Sequence, residues 1–202
     1  MRKPQAWKPK SPYLKLRARS KRLELRPFLA SDFAEWLAVY DRLKPKQNEW
    51  DTKPRPKAKR TRKHFLEMIA KHRKIVKRGV YILGVFERAS GDYVAVIDLY
   101  VFDTNHHAAN LGYRVHNHRW GEGIAPEASQ LALDIAFGQL GLSRVEASFE
   151  LHNKASARVP VKAGMFEEGI RRKYRIPSGL KDLLVYGMNP VDWKRIRARS
   201  RK

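Results

Sequence analysis

Apolar positions along this chain follow two periods, and the changes from one to the other divide it into elements. Short alternating or continuous apolar runs predict strands over Lys21–Arg26, Val80–Arg88, Asp92–Phe102, Ala108–His116, Arg144–Leu151, Phe166–Arg175 and Asp182–Met188. Elsewhere the spacing lengthens to three and four. Phe33, Trp36, Leu37 and Tyr40 share one face of a helix that Ser31 or Asp32 would cap and that runs through Asp41. A second helix spans about Arg62 to Lys77. Ile124, Ala128, Leu131, Ala132 and Ile135 line one face of a third, Pro126–Leu140, which stops at Gly141, and a fourth covers Lys154–Ala163. This order predicts an α/β (α+β) chain with one mixed sheet flanked by helices.

The segment Leu111 to Ala128 carries the most specific chemistry. It reads as a strand, a turn holding Gly121 and Gly123, and a helix start in which Pro126 lacks only an N–H that had no helical partner. Glycines allow positive φ and close approach, and the free N–H groups and dipole of a helix start favour an anion such as a diphosphate. The segment lacks the third glycine and later acid of the dinucleotide fingerprint, and the Gly-Lys-Ser/Thr of the phosphate loop.

Gly-Glu-Gly-Ile-Ala-Pro-Glu-Ala at 121–128 resembles motif A of the Gcn5-related N-acetyltransferases, with Trp120 where a glutamine or arginine usually opens the motif. The tryptophan is similar to the branch that acetylates N-termini of ribosomal proteins. Asn153-Lys-Ala-Ser156 resembles that branch's Asn-x-x-Ser helix, and Lys162-Ala-Gly164-Met-Phe166-Glu-Glu168-Gly169 its Lys-x-Gly-Phe-x-x-Glu-Gly strand. Leu23-Glu-Leu-Arg-Pro-Phe and Lys181-Asp182-Leu-Leu-Val-Tyr186 resemble its opening and closing strands. The resemblance covers roughly 21–188 and implies a mostly antiparallel sheet of about seven strands, with a splay between the fourth and fifth that admits acetyl-coenzyme A. Pro160, inside the fourth helix, departs from the pattern. An interior proline costs a helix about 3 kcal/mol, so a kink or a short helix is expected. Met165 between Gly164 and Phe166 is a second departure, expected to shift the strand register.

The resemblance also implies the site. Coenzyme contacts fall on Val115, His116, Asn117, Arg119, Trp120, Gly121, Glu122, Gly123, Ile124, Ala125 and Asn153, with Arg119 supplying a cation. Ser156 matches a serine placed near the coenzyme sulfur as donor or general acid. The position aligned with a glutamate base in some relatives is Arg175, which leaves Asp98 and Glu150 as candidate bases acting through water. Glu127 and Asp182 read as structural. An α-amino group, with pKa about 7.7–8.0, is on the order of a tenth neutral at pH 7, so an N-terminal acceptor asks little of a base. His116 and His118 share one strand face, but no helical acid or histidine pair accompanies them and no metal is expected.

Charge is unevenly placed. The formal net charge is +23, and residues 1–26, 42–63 and 189–202 hold 26 of the 43 Lys/Arg but 4 of the 20 Asp/Glu. A near-neutral domain, 21–188, is therefore expected to carry a disordered basic arm (1–20), a basic proline-bearing linker (42–63) and a basic tail (189–202). Contact of these segments with the ribosome or RNA is the corresponding expectation. The absence of cysteine excludes disulfides and thiolate chemistry. Without a signal-like or membrane-length apolar run, the expectation is a cytoplasmic protein away from membranes. Small-amine acetylation, of aminoglycosides or polyamines, and RNA binding by an inactive copy of the fold are the competing functions.

Overall fold

The computed structural model describes residues 7–51, 54–176 and 178–199. Among the described residues eight strands form one sheet: β1 Ala18–Arg19, β2 Leu23–Arg26, β3 Val80–Glu87, β4 Tyr93–Asp103, β5 Ala108–Val115, β6 Arg144–Glu150, β7 Phe166–Ile176 and β8 Gly179–Met188. Their order is β1-β2-β3-β4-β5-β6-β8-β7, antiparallel throughout except between β5 and β6. The helices are α1 Phe33–Arg42, α2 Arg62–Ile75, α3 Ile124–Asp134, α4 Lys154–Ala163 and α5 Pro190–Arg199. Beyond Asp134, α3 widens into π-turns over Ile135–Leu140 and ends at Gly141 in the left-handed conformation.

The period-2 strands bury opposite faces against different helices. On one face Leu83, Ile97, Leu99 and Leu111 meet Ile124, Leu131 and Ile135 of the α3 segment. On the other, Phe86, Tyr93 and Val96 meet Trp36 and Val39 of α1 and Phe65 and Ile69 of α2. That second layer stops short of the far part of β4, so Tyr100 and Phe102 are 49% and 46% exposed.

The ends of the chain differ from expectation. The arm expected to be disordered lays its described part on the domain: Trp7 donates to the Leu140 carbonyl, Tyr13 to the Ile82 carbonyl, and Leu16 is fully buried. Its Ala18–Arg19 is the eighth strand. The basic tail forms α5, whose Trp193 packs on Phe137 and donates to Asp134. Asp32 does not cap α1 through its side chain; its carboxylate takes both Arg26 and the Leu29 N–H. Asp182 accepts from the Lys173 N–H, where β7 bulges. Met165 turns into the core, Phe166 is 52% exposed, and β7 shifts register at Glu167.

Candidate active site

The β5–β6 ladder pairs Ala108, Ala109 and Asn110 with Arg144, Val145 and Glu146, and then ends. β5 continues to Val115 and β6 to Glu150 without facing each other, and the gap opens into a cleft of about 610 Å³. The His116 N–H bonds the Val94 carbonyl on the β4 side. Backbone groups alternate along a strand, so those of Tyr113 and Val115 face the gap.

One end of the cleft is the glycine turn. Gly121 and Gly123 have φ of +87° and +75°, in the left-handed region that a side chain makes costly. A Cβ built on Gly121 meets nothing within 4 Å, so the turn leaves open space on that side. Gly123 caps α3 without any side-chain partner for the first N–H groups, which stay available to an anion. The turn is braced from below, where Arg22 bonds the Glu122 carbonyl and pairs with Glu127 at 2.6 Å. Open backbone donors at a helix start fit the diphosphate of acetyl-coenzyme A.

Several expected contacts are placed differently. Arg119 lines the cleft, but its guanidinium is held by Glu87 at 2.5 Å and Glu122 at 2.8 Å; these carboxylates raise its pKa and neutralise the expected cation. The Glu122 side chain serves that pair. Trp120 Nε1 takes the Val115 carbonyl at 2.8 Å and so occupies one strand-end acceptor. His116 and Asn117 do not line this cleft; they line a second cavity across β5. Val115, Trp120, Gly121, Gly123, Ile124, Ala125 and Asn153 do line the cleft.

The opposite wall is α4. The Asn153 side-chain Oδ1 accepts the Ser156 N–H at 3.1 Å, an N-cap that presents Ser156 to the cleft. Pro160 lies inside α4 without breaking it. The carbonyl that its missing N–H would have met belongs to Ser156, and the Tyr113 hydroxyl donates to it at 2.7 Å. A bond from β5 thus closes the proline's defect and ties the two walls together. Sequence reasoning passed over Tyr113, although Pro160 marked the free carbonyl four residues earlier. Trp50, from the linker, also lines the cleft and packs on His152 at 5.2 Å.

Asp98 pairs in register with Gly112, and a Cβ on that glycine would lie 2.5 Å from its Oδ2. The residue as a whole is exposed, yet its carboxylate rests on the β5 backbone. Lost solvation there raises its pKa, opposed by Arg114. Glu150 lies between Lys181 at 3.5 Å and His152 at 3.7 Å, and neither Glu150 nor Asp98 lines either cavity. The His116 and His118 rings stack at 6.2 Å, and among the described residues no group of three or more His, Asp or Glu is arranged to hold a metal.

Comparison with known proteins agrees with this geometry. Residues 22–166 match the model of the acetyltransferase (GNAT) domain. The N-acetyltransferase YoaA of Bacillus subtilis, itself uncharacterized, is 31% identical over 113 residues, which cover 55% of this chain and 63% of that protein. The match therefore spans less than two thirds of that relative. Mycobacterium smegmatis RimJ in complex with CoA-disulfide superposes with a TM-score of 0.66 at 22% identity, covering 98% of this chain and 96% of that one. The ribosomal-protein-S5-alanine acetyltransferase of Vibrio fischeri gives 0.66 at 20% identity, covering 89% and 99%. At these identities the likeness is one of fold.

Proposed function

The chain belongs to the acetyltransferase (GNAT) domain family, and on that premise we propose that it transfers an acetyl group from acetyl-coenzyme A to an amine, the α-amino group at the N-terminus of a protein such as a ribosomal protein. The observation that carries this reading is the splay: a ladder that ends at Asn110 and Glu146, with a glycine-lined helix start on one wall and Ser156 on the other.

In this reading acetyl-coenzyme A supplies the reactive thioester, and the chain's own groups place it. The N–H groups at the start of α3 hold the diphosphate, and the Tyr113 backbone pairs with the extended arm of the coenzyme in place of a β6 neighbour. Ser156 donates a proton toward the leaving sulfur. Asp98, which lines neither cavity, takes the proton of the attacking amine through water, and lost solvation raises its pKa from the ordinary carboxylate value. The acceptor approaches through the second cavity, because Arg114 and Val115 line both. The basic segments hold the enzyme near ribosomal RNA.

One similarity supports the acceptor class: the enzyme named for ribosomal protein S5 alanine superposes over 89% of this chain. Thiol release from acetyl-coenzyme A in the presence of N-terminal peptides tests the reading. Release should depend on peptide and fall about 10²-fold or more in Ser156→Ala and in Asp98→Asn. Coenzyme binding without release for any amine would sink it.

A further inference from the structure

The second cavity, about 890 Å³, gathers three of the five unpaired buried side-chain polar atoms found among the described residues: Arg55 Nε, His72 Nδ1 and His116 Nε2. Buried polar atoms almost always have partners, so three on one cavity point to something that occupies it. His72 is 8% exposed, and burial pushes its pKa down to about 4, so it stays a neutral imidazole.

The walls describe the occupant. Phe28, Trp36 and Tyr93, each less than a tenth exposed, supply ring faces and edges. The Arg55 guanidinium lies over the Trp36 ring at 5.6 Å, which makes the basic linker a wall of the cavity. Arg55, Lys59, Lys71 and Arg114 bring cations to it, against the carboxylates of Asp51 and Glu67. Asp51 already accepts from Asn117 Nδ2 and from the Gln47 N–H.

We propose that this cavity selects an acceptor whose first side chain is aromatic and is followed by an acidic residue, so that the rings take the side chain and Arg55 with its neighbouring cations takes the carboxylate. The inference rests on the N-terminal acceptor reading above and names which N-termini it serves. An alanine or serine side chain would leave most of the cavity empty and the ring contacts unmade, and each missing carbon in an apolar pocket costs affinity. A polyamine would set cations against four cations.

Steady-state acetylation of peptides starting Phe-Asp, Phe-Lys, Ala-Asp and Ala-Lys, beside free phenylalanine and spermidine, tests it in the full chain. Phe-Asp should exceed Ala-Asp in kcat/KM by more than about tenfold. Arg55→Met should erode the Phe-Asp over Phe-Lys preference, and Phe28→Leu, which removes one ring from the wall, should erode the aromatic preference. Coenzyme affinity measured on each variant reports that it is folded. Equal rates for Phe-Asp and Ala-Asp would overturn the cavity assignment and leave the N-terminal reading standing. Turnover of spermidine or free phenylalanine with none for any peptide would overturn the N-terminal reading, and the assignment with it.

Discussion

Pro160 has no N–H to offer the carbonyl four residues before it, and the structure assigns that carbonyl to the Tyr113 hydroxyl. The two residues should therefore be energetically coupled, although no bond joins them. Tyr113→Phe removes the donor and should cost about 1 kcal/mol of stability, with a higher KM for acetyl-coenzyme A because α4 loses its tie to β5. Pro160→Ala restores a helical N–H for the Ser156 carbonyl. In that background Tyr113→Phe should cost clearly less, and a double-mutant cycle from denaturation midpoints measures the difference. Simple additivity would mean that the proline and the tyrosine act separately. Asn153 and Ser156 were legible in the sequence because a cap and its helix are local. Tyr113 was not, because its partner lies 43 residues away across the cleft.

At the scale of elements, the seven longer strands and four helices were legible because each carries its own period. The packed arm was not: Trp7 and Tyr13 find partners 133 and 69 residues away and form no local pattern. Nor was α5, whose Trp193 and Ile196 make too short a stripe. The strand-end contacts were misplaced for a related reason. β5 ends at Val115, which lines both cavities, and beyond the strand the chain turns so that His116 and Asn117 line only the second. Asn117, buried at 6% exposure, acts there as a clamp: it accepts the Lys44 N–H and donates to the Lys44 carbonyl and to Asp51. That side chain pins the start of the basic linker. Asn117→Ala should lower stability by about 2 kcal/mol, since buried backbone groups lose their partner. Trypsin should then cut faster after Lys46 while coenzyme affinity is kept. An unchanged cleavage rate would show that the linker is held elsewhere.

Across the whole molecule, folding gathers charge that the sequence keeps at its two ends. The arm lies along the end of the α3 segment, where Trp7 bonds Leu140, Gln139 bonds the Arg17 backbone and the Lys10 side chain lies beside Gly141. α5 packs on the same segment through Phe137 and Asp134. Lys8, Lys10 and Lys15 from one end and Lys194 and Arg195 from the other are exposed, and no ion pair is recorded for them among the described residues. The described parts of both ends therefore pack on the α3 segment, and these cations, carried on elements that border it, line neither cavity. Exposed cations of this kind recognise phosphate backbone by charge, with no sequence preference. Their affinity for single-stranded RNA should fall steeply with salt, log K changing against log salt by about −0.7 for each phosphate neutralised. Lys8→Gln with Lys10→Gln, and Lys194→Gln with Arg195→Gln, should each flatten that slope by a similar amount if both ends contact the same strand. Titration of the full chain with a labelled oligonucleotide at about 50 to 200 mM salt reads the slope directly. A slope that responds to only one pair would separate the two ends, and affinity indifferent to salt would remove RNA as the partner of these cations.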